Sequence, residues 1–253
     1  MTTNGTMLPI ATWQVASMRI TAFPGDVVPT DRLSWWDDIV GFPPESVVSR
    51  PKVGQHKAEG EFEGRRLGLQ IQPGRIEWSV NPLAKAAEED VLLGPFPDVL
   101  ASLSKVVGSW LPAAPVLTRL AFGTVLVQPV ESVRAGYVLI KTYLPSVVID
   151  PDGSSDLFYQ INRPRVSIGP IMGLRMNRLS KWSVQVAQLV TVTLGPDGVT
   201  ATRALNQEAG CRLELDINTA PDPPSALATK DLGAILNELT DLGREIAQKG
   251  DIP

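Results

Sequence analysis

The chain is short of the residues from which metal centres and many catalytic sites are built. It holds 1 cysteine, Cys211, and 1 histidine, His56, among 253 residues. That excludes an internal disulfide and any zinc site made from several cysteine and histidine ligands. No run reaches the roughly 18 consecutive apolar residues of a membrane-spanning helix. Met1 to Pro9 lack the basic stretch and apolar core of a secretion signal, so a cytoplasmic location with no membrane partner is expected. Acidic residues are missing from one long stretch: between Leu157 and Pro196 there is no Asp or Glu.

What is present is ordinary for a globular protein. Apolar residues make up 43% and charged residues 20%, and the net charge is −4 with a pI near 5.1. Such a chain can bury a large core, and it has no global attraction for nucleic acid or anionic lipid. Any such binding requires a local basic patch.

The order of elements is repeated. In residues 12–111, Trp13, Val15, Met18 and Ile20 belong to a first strand ending at Phe23-Pro24-Gly25. A short helix follows, capped by Thr30 or Asp31, with Leu33, Trp36, Ile39 and Val40 as its apolar stripe and Gly41 with Pro43-Pro44 closing it. Gln55 to Val80 reads as three strands with turns at Glu63-Gly64-Arg65 and Gln72-Pro73-Gly74; Leu67, Leu69 and Ile71 share one face, as do Ile76, Trp78 and Val80. After a polar linker with Glu88-Glu89-Asp90, Phe96, Val99, Leu100, Leu103, Val106, Val107 and Trp110 recur at helical steps. Each such side chain contributes roughly 1.5 to 3 kcal/mol when buried.

Residues 116–249 restart the pattern. A strand at Val116–Val127 is expected to break at Gln128-Pro129, and Glu131 or Ser132 caps a helix running to Leu144-Pro145. Asp150 to Ser155 forms a turn or mobile loop. Strands are expected at Leu157–Ile161, Val166–Met176, Trp182–Leu194, Val199–Leu205 and Cys211–Ile217, with a hairpin loop at Gly195-Pro196-Asp197-Gly198. Pro221 to Pro224 lead to a last helix that carries Leu232, Ile235, Leu236, Leu239, Leu242 and Ile246 on one side.

These signals predict an α+β fold of tandem β-α-β(meander)-α halves, 1–111 and 112–253, with helices on one face of antiparallel sheets. The element order resembles that of the TATA-binding-protein-like fold and, more loosely, helix-grip folds. Fold analogy does not transfer function, and the acidic pI departs from a dedicated DNA saddle. Three stretches, Arg65 to Ile76, Gly173 to Leu179 and Leu213 to Asn218, also resemble a sporadically distributed family of uncharacterised bacterial proteins of about this length. The resemblance implies architecture and a bacterial or phage context, and assigns no functional residue.

Two groups stand out as binding candidates. Arg163, Arg165, Arg175, Arg178 and Lys181 beside Trp182 form a basic, acid-free segment. Guanidinium forks match phosphate oxygens and an indole stacks bases, so a nucleic acid or nucleotide fits it; the competing view is a solvated face paired with distant carboxylates. Trp35 and Trp36 are adjacent on a short helix and point about 100° apart, so one can remain at the surface, with the Trp35 region as the protein-contact patch; the competing view is that both are buried.

Other groups support less. Glu59, Glu61 and Glu63 repeat at roughly 6.5 to 7 Å along a strand, too widely for all three to bind one magnesium ion. Asp37-Asp38 lies on the neighbouring helix. His56 has no triad-like neighbours, Cys211 reads as a small buried hydrophobe, and Gly169-Pro170-Ile171-Met172-Gly173 lacks the lysine of a P-loop. No catalytic residue, metal site or cofactor is assigned. The preferred expectation is a non-enzymatic cytoplasmic binding or assembly protein with a protein partner, part of a bacterial multi-protein system. Nucleic-acid binding through the arginine-rich segment is the alternative, and an edge strand offers a route to a homo-oligomer.

Overall fold

A computed structural model describes residues 13–30, 34–83, 92–169, 171–195, 198–221 and 226–251, with side chains of 187–208 outside the description. The expected Asp31 cap, Leu33, the Glu88-Glu89-Asp90 linker, Pro196-Asp197 and the prolines at 222–224 lie outside the described residues. The structure is α+β, as the alternation of periods implies. In chain order it runs β1 (Gln14–Pro24), α1 (Trp35–Val40), β2 (Ser46–Arg50), β3 (Gln55–Phe62), β4 (Arg65–Gln72), β5 (Arg75–Asn81) and α2 (Phe96–Trp110). It continues β6 (Leu117–Val130), α3 (Val133–Tyr143), β7 (Phe158–Asn162), β8 (Arg165–Val166), β9 (Arg175–Gly195), β10 (Gly198–Thr219) and α4 (Leu232–Lys249).

All the strands join one 10-stranded sheet in the order β2-β3-β4-β5-β1-β6-β10-β9-β7, with β8 also on β9. Its strands pair antiparallel. The centre is β1 against β6, where Ile20 faces Phe122 and Met18 faces Thr124. Chain segments from both sides of residue 111 therefore meet in one sheet, and one hydrophobic cluster runs through both.

Alternation decides which face is dry. Leu67, Leu69, Ile71, Ile76, Trp78 and Val80 are buried together with Ile20, Phe122, Leu213, Leu215 and Ile217. The helices pack on this face: α2 on β1 and β5, α4 on β6 and β10, and α3 on β9 and β10, while α1 lies against α2. Every apolar residue expected on the α2 stripe is buried. All 6 tryptophans enter the core or pack against it. Trp35, Trp110, Trp78 and Trp36 form a chain of ring contacts under one side, and Trp13, Tyr143 and Trp182 form a second under the other. These offset and edge geometries add to the burial of the rings themselves.

The ends are tied to the core. Trp13 Nε1 donates to the Ala247 carbonyl at 2.8 Å, and Asp251 N donates to the Tyr143 carbonyl at 2.8 Å. Gly250 links α4 to this contact at φ 79°, where a Cβ would collide with the Tyr143 carbonyl. Only glycine meets both demands.

Several boundaries differ from the sequence expectation. The four strands expected from 166 to 217 are the two-residue β8 and two long strands, β9 and β10. The polar run Asn177-Arg178-Leu179-Ser180-Lys181 looked like an interruption, but it alternates within β9. Arg178 and Ser180 turn inward and are buried, whereas Asn177 and Lys181 lie on the open side. Residues 184–195 of β9 and 198–208 of β10 extend past the last pairings of β7 at Ser183 and of β6 at Ala209. β6 does not break at Gln128-Pro129 but reaches Val130, with exposed Pro129 opposite Gly210 near its end. β2 was not anticipated, because its residues are all exposed and leave no alternation to read. Helix α1 begins after Ser34, whose hydroxyl donates to Asp38 Oδ2 at 2.5 Å. For α3, Ser132 is the cap, accepting from Ala135 N at 3.1 Å.

Candidate functional site: the β7–β8 margin and the α4 cleft

Local sequence places the basic segment at one edge of the sheet. β7 ends at Asn162 because Arg163-Pro164 follows, and proline cannot donate to a ladder. The chain then re-pairs with β9 through Arg165 and Val166. β9 is thus the inner neighbour of both short strands, and their outer edges have no strand partner among the described residues.

The arginines divide between structural and free roles. Arg163 grips Asp251 through Nε at 2.5 Å and Nη2 at 2.8 Å, and Tyr159 donates its hydroxyl to the same carboxylate at 2.7 Å. This hydrogen bond from Arg163 is the main reason the Asp251 carboxyl lies below its ordinary value, with burial opposing and Tyr159 assisting. Arg165 Nη1 meets Glu245 at 3.1 Å, and Lys249 meets the other oxygen of that carboxylate at 3.1 Å. Burial raises the Glu245 carboxyl, but the bond and charge of Lys249 with Arg165 and Arg178 outweigh it and the net direction is down. Lys181 stands 3.7 Å from Glu214.

Arg178 is different. It is only 5% exposed, and its Nε has no hydrogen-bond partner. Burial lowers its guanidinium from the usual value, Glu245 and Asp251 oppose that, and Arg165 and Arg163 add to it. Arg175 is exposed at the start of β9, opposite Val166. Trp182 corrects the expectation of a stacking platform. It is fully buried between Trp13 and Tyr143, donates to Ser180 Oγ at 3.1 Å, and presents no ring face to a base.

The tryptophan pair on α1 packs inward, the alternative that competed with an exposed contact residue. Trp36 is 4% exposed, stacks on Trp78 and donates to the Phe42 carbonyl at 3.0 Å. Trp35 is half-buried, with its ring edge-on to Trp110 at 5.5 Å. Neither stands out as an exposed anchor, because both rings follow the short helix into the gap beside α2.

Apolar exposure lies elsewhere. Phe158 is 65% exposed, Val166 53%, Ile168 88% and Met172 93%, all on β7, β8 and the loop that follows. Sequence patterning missed this group because single apolar residues in short, proline-flanked strands look like core. The loop is held against α4: Ser167 Oγ donates to Glu238 Oε2 at 2.5 Å and Ile168 N to Glu238 Oε1 at 3.1 Å. Beside it a cleft of about 570 Å³ opens between Arg165, Ile168 and Gly169 on one wall and Asn237, Asp241 and Arg244 of α4 on the other.

Other candidates are dispersed. Glu59 pairs with Lys57 at 2.8 Å, Glu61 is exposed, and Glu63 sits in the β3–β4 turn at φ 50°, accepting from Ser102 at 2.6 Å. Among the described residues no group of three His, Cys, Asp or Glu side chains is placed to hold a metal ion. His56 lines a separate cleft of about 230 Å³ with Val48 and Gln70; its Nδ1 is unpartnered, and burial lowers its imidazole. Cys211 is fully buried, its Sγ 3.2 Å from the Gly136 carbonyl, and burial pushes the thiol up to about 12.

The open face of the sheet is polar and mixed in sign. Arg19 and Arg75 share Glu77, while Lys181 and Arg212 share Glu214. Alternating signs give no continuous phosphate track. Among the described residues no helix is long and apolar enough to cross a membrane. No family model, curated protein or solved structure matches the chain.

Proposed function

We propose that the chain is a non-enzymatic, cytoplasmic binding or assembly protein of a bacterial multi-protein system, and that it holds a protein partner at the β7–β8 margin. The observation that carries this reading is the series of exposed apolar residues along the β7–β8 margin and its loop, Phe158, Val166, Ile168 and Met172, of which Ile168 also lines the α4 cleft. Exposed large apolar residues gathered on one margin suit an interaction surface. The ionisable groups nearby are engaged in holding the margin to α4, which gives a fixed platform for docking.

The test is a photo-crosslinking amino acid placed at Ile168 in the host, with Val48 on β2, at the opposite edge of the sheet, as control. A single protein joined at Ile168 and absent from Val48 supports the reading. No adduct at Ile168, or the same adducts at both sites, contradicts it.

Arg175 and Arg178 favour the second reading, a nucleic-acid or nucleotide module. That reading is weakened by the burial of Trp182 and the engagement of Arg163, Arg165 and Lys181. It requires affinity that falls steeply with salt.

A further inference from the structure

The far end of β9 leaves the body of the sheet. Residues 184–194 of β9 pair only with β10, because β7 stops at Ser183 and the pairing of β6 with β10 stops at Ala209. At roughly 3.3 Å per residue the result is a two-stranded ribbon about 36 Å long. Two strands alone are marginal in water. Among the described residues neither side of this ribbon has a further strand.

The two sides of the ribbon are not equivalent. Its register shifts between Val199 and Ala201 and between Ala204 and Gln207, and in both places the extra residue is on β10. Arg203 and Glu208 lie in the same stretch of β10. Bulges and charges of this kind blunt a free edge. The outer edges of the sheet are blunted as well: β2 lies between Pro44 and Pro51 and carries Arg50, and Pro164 separates β7 from β8 beside Arg163 and Arg165. The β9 side of the ribbon carries none of these devices. From Val184 to Leu194 it has no charged residue, no proline and no glycine, only valine, leucine, threonine, alanine and glutamine. A long regular edge of that composition is a ready template for another strand.

We infer that two copies of this chain pair edge to edge through residues 184–194 of β9, antiparallel and related by a two-fold axis at Leu189. β7 sets the register. The longest pairing that stops short of Ser183, where β7 takes over, puts Val184 opposite Leu194 of the second copy and centres on Leu189. It also puts Val186 opposite Val192 and Gln185 opposite Thr193, and the remaining opposed positions are uncharged. A centre on a residue, rather than between two, places positions of the same sheet face opposite each other, so both faces run on through the axis. The occupant is a second copy because the edge complements itself. A strand bearing charge would leave that charge unanswered along the whole edge, and the outer edges of the sheet each carry arginine. Pairing turns two marginal ribbons into one of four strands, β10-β9-β9-β10, in a closed contact that uses the same patch on both subunits.

This contact is at the other end of β9 from β8 and Ile168, so it stands or falls separately from the partner at the margin. Sedimentation velocity of the full chain over a dilution series is expected to show a species of twice 27.3 kDa in equilibrium with the monomer. Val186→Lys with Val192→Lys sets like charges directly opposite each other across the axis and should weaken the dimer about tenfold or more, whereas Val186→Lys with Val192→Glu sets opposite charges there and should restore it. Within one chain these positions are about 20 Å apart, so the two variants differ in what they meet in the second copy. Leu189→Cys should form a disulfide between copies on mild oxidation and Thr191→Cys should not, because only position 189 meets itself; Cys211 is buried and takes no part. A monomer at every concentration, a dimer that responds alike to the two double variants, or equal crosslinking at 189 and 191 overturns the inference.

Discussion

Asp251 receives both arms of the Arg163 guanidinium, at 2.5 and 2.8 Å, and so fastens the segment after α4 to the end of β7. The carboxylate is 5% exposed and also takes the Tyr159 hydroxyl at 2.7 Å. The edge strand that forms the proposed docking margin is thus braced from behind by the C-terminal helix.

Breaking this brace should be costly. Asp251→Ala leaves Arg163 without its carboxylate and Tyr159 without an acceptor, and removing one partner of such a partly buried pair costs about 1 to 3 kcal/mol. Urea unfolding followed by tryptophan fluorescence checks this, with an unchanged midpoint as the contrary result.

The same pair makes stability depend on acid. Asp251 titrates below its ordinary value of 3.8 in the folded chain, chiefly because Arg163 bonds the ionised form. A depressed folded value means that the contribution is fully present above the unfolded value and disappears as pH falls through the folded one. Melts of the parent and Asp251→Asn should therefore differ most near neutrality and converge as pH falls through the folded value, which lies below 3.8. A difference independent of pH would refute the assignment.

Two glycines in helices should respond to alanine with opposite signs. A Cβ on Gly243 would meet Phe122 Cε1 at 2.7 Å, where α4 crosses β6, whereas one on Gly108 of α2 meets nothing within 4 Å. Gly243→Ala should lose about 1 to 3 kcal/mol by overpacking, and Gly108→Ala should gain about 0.5 to 1 kcal/mol from helix propensity. Equilibrium denaturation measures both.

Cys211 should be inert in the native state. Its thiol is fully buried and raised to about 12 by burial, so the thiolate that reacts with iodoacetamide is scarce and shielded. Labelling should proceed at the rate of unfolding, and fast modification of folded protein would show that the α3–β10 packing is wrong.

The long-range design was legible where period and burial coincide. The stripe from Phe96 to Trp110 and the alternations at Leu67 to Ile71 and Leu213 to Ile217 named the core face directly, because one-sided burial imposes one period. β2 escaped because an edge strand exposed at every position imposes none. The arginine-rich segment was visible as composition, but its partners were not. Asp251 lies 88 residues from Arg163 in sequence, and Glu245 lies 80 from Arg165. Only the sheet order brings them together. Trp182 was misjudged for a related reason: its neighbours Lys181 and Ser183 face the other way along β9, so a charged run concealed a core position.

The central claim is that the β7–β8 margin is where a protein partner binds, and crosslinking from Ile168 in the host tests it most directly. The account predicts one protein partner joined at Ile168 and lost when Ile168 and Met172 are examined in a Phe158→Asp, Val166→Asp background that remains folded. Adducts that survive those substitutions, or that form equally from Val48 on β2, would contradict it.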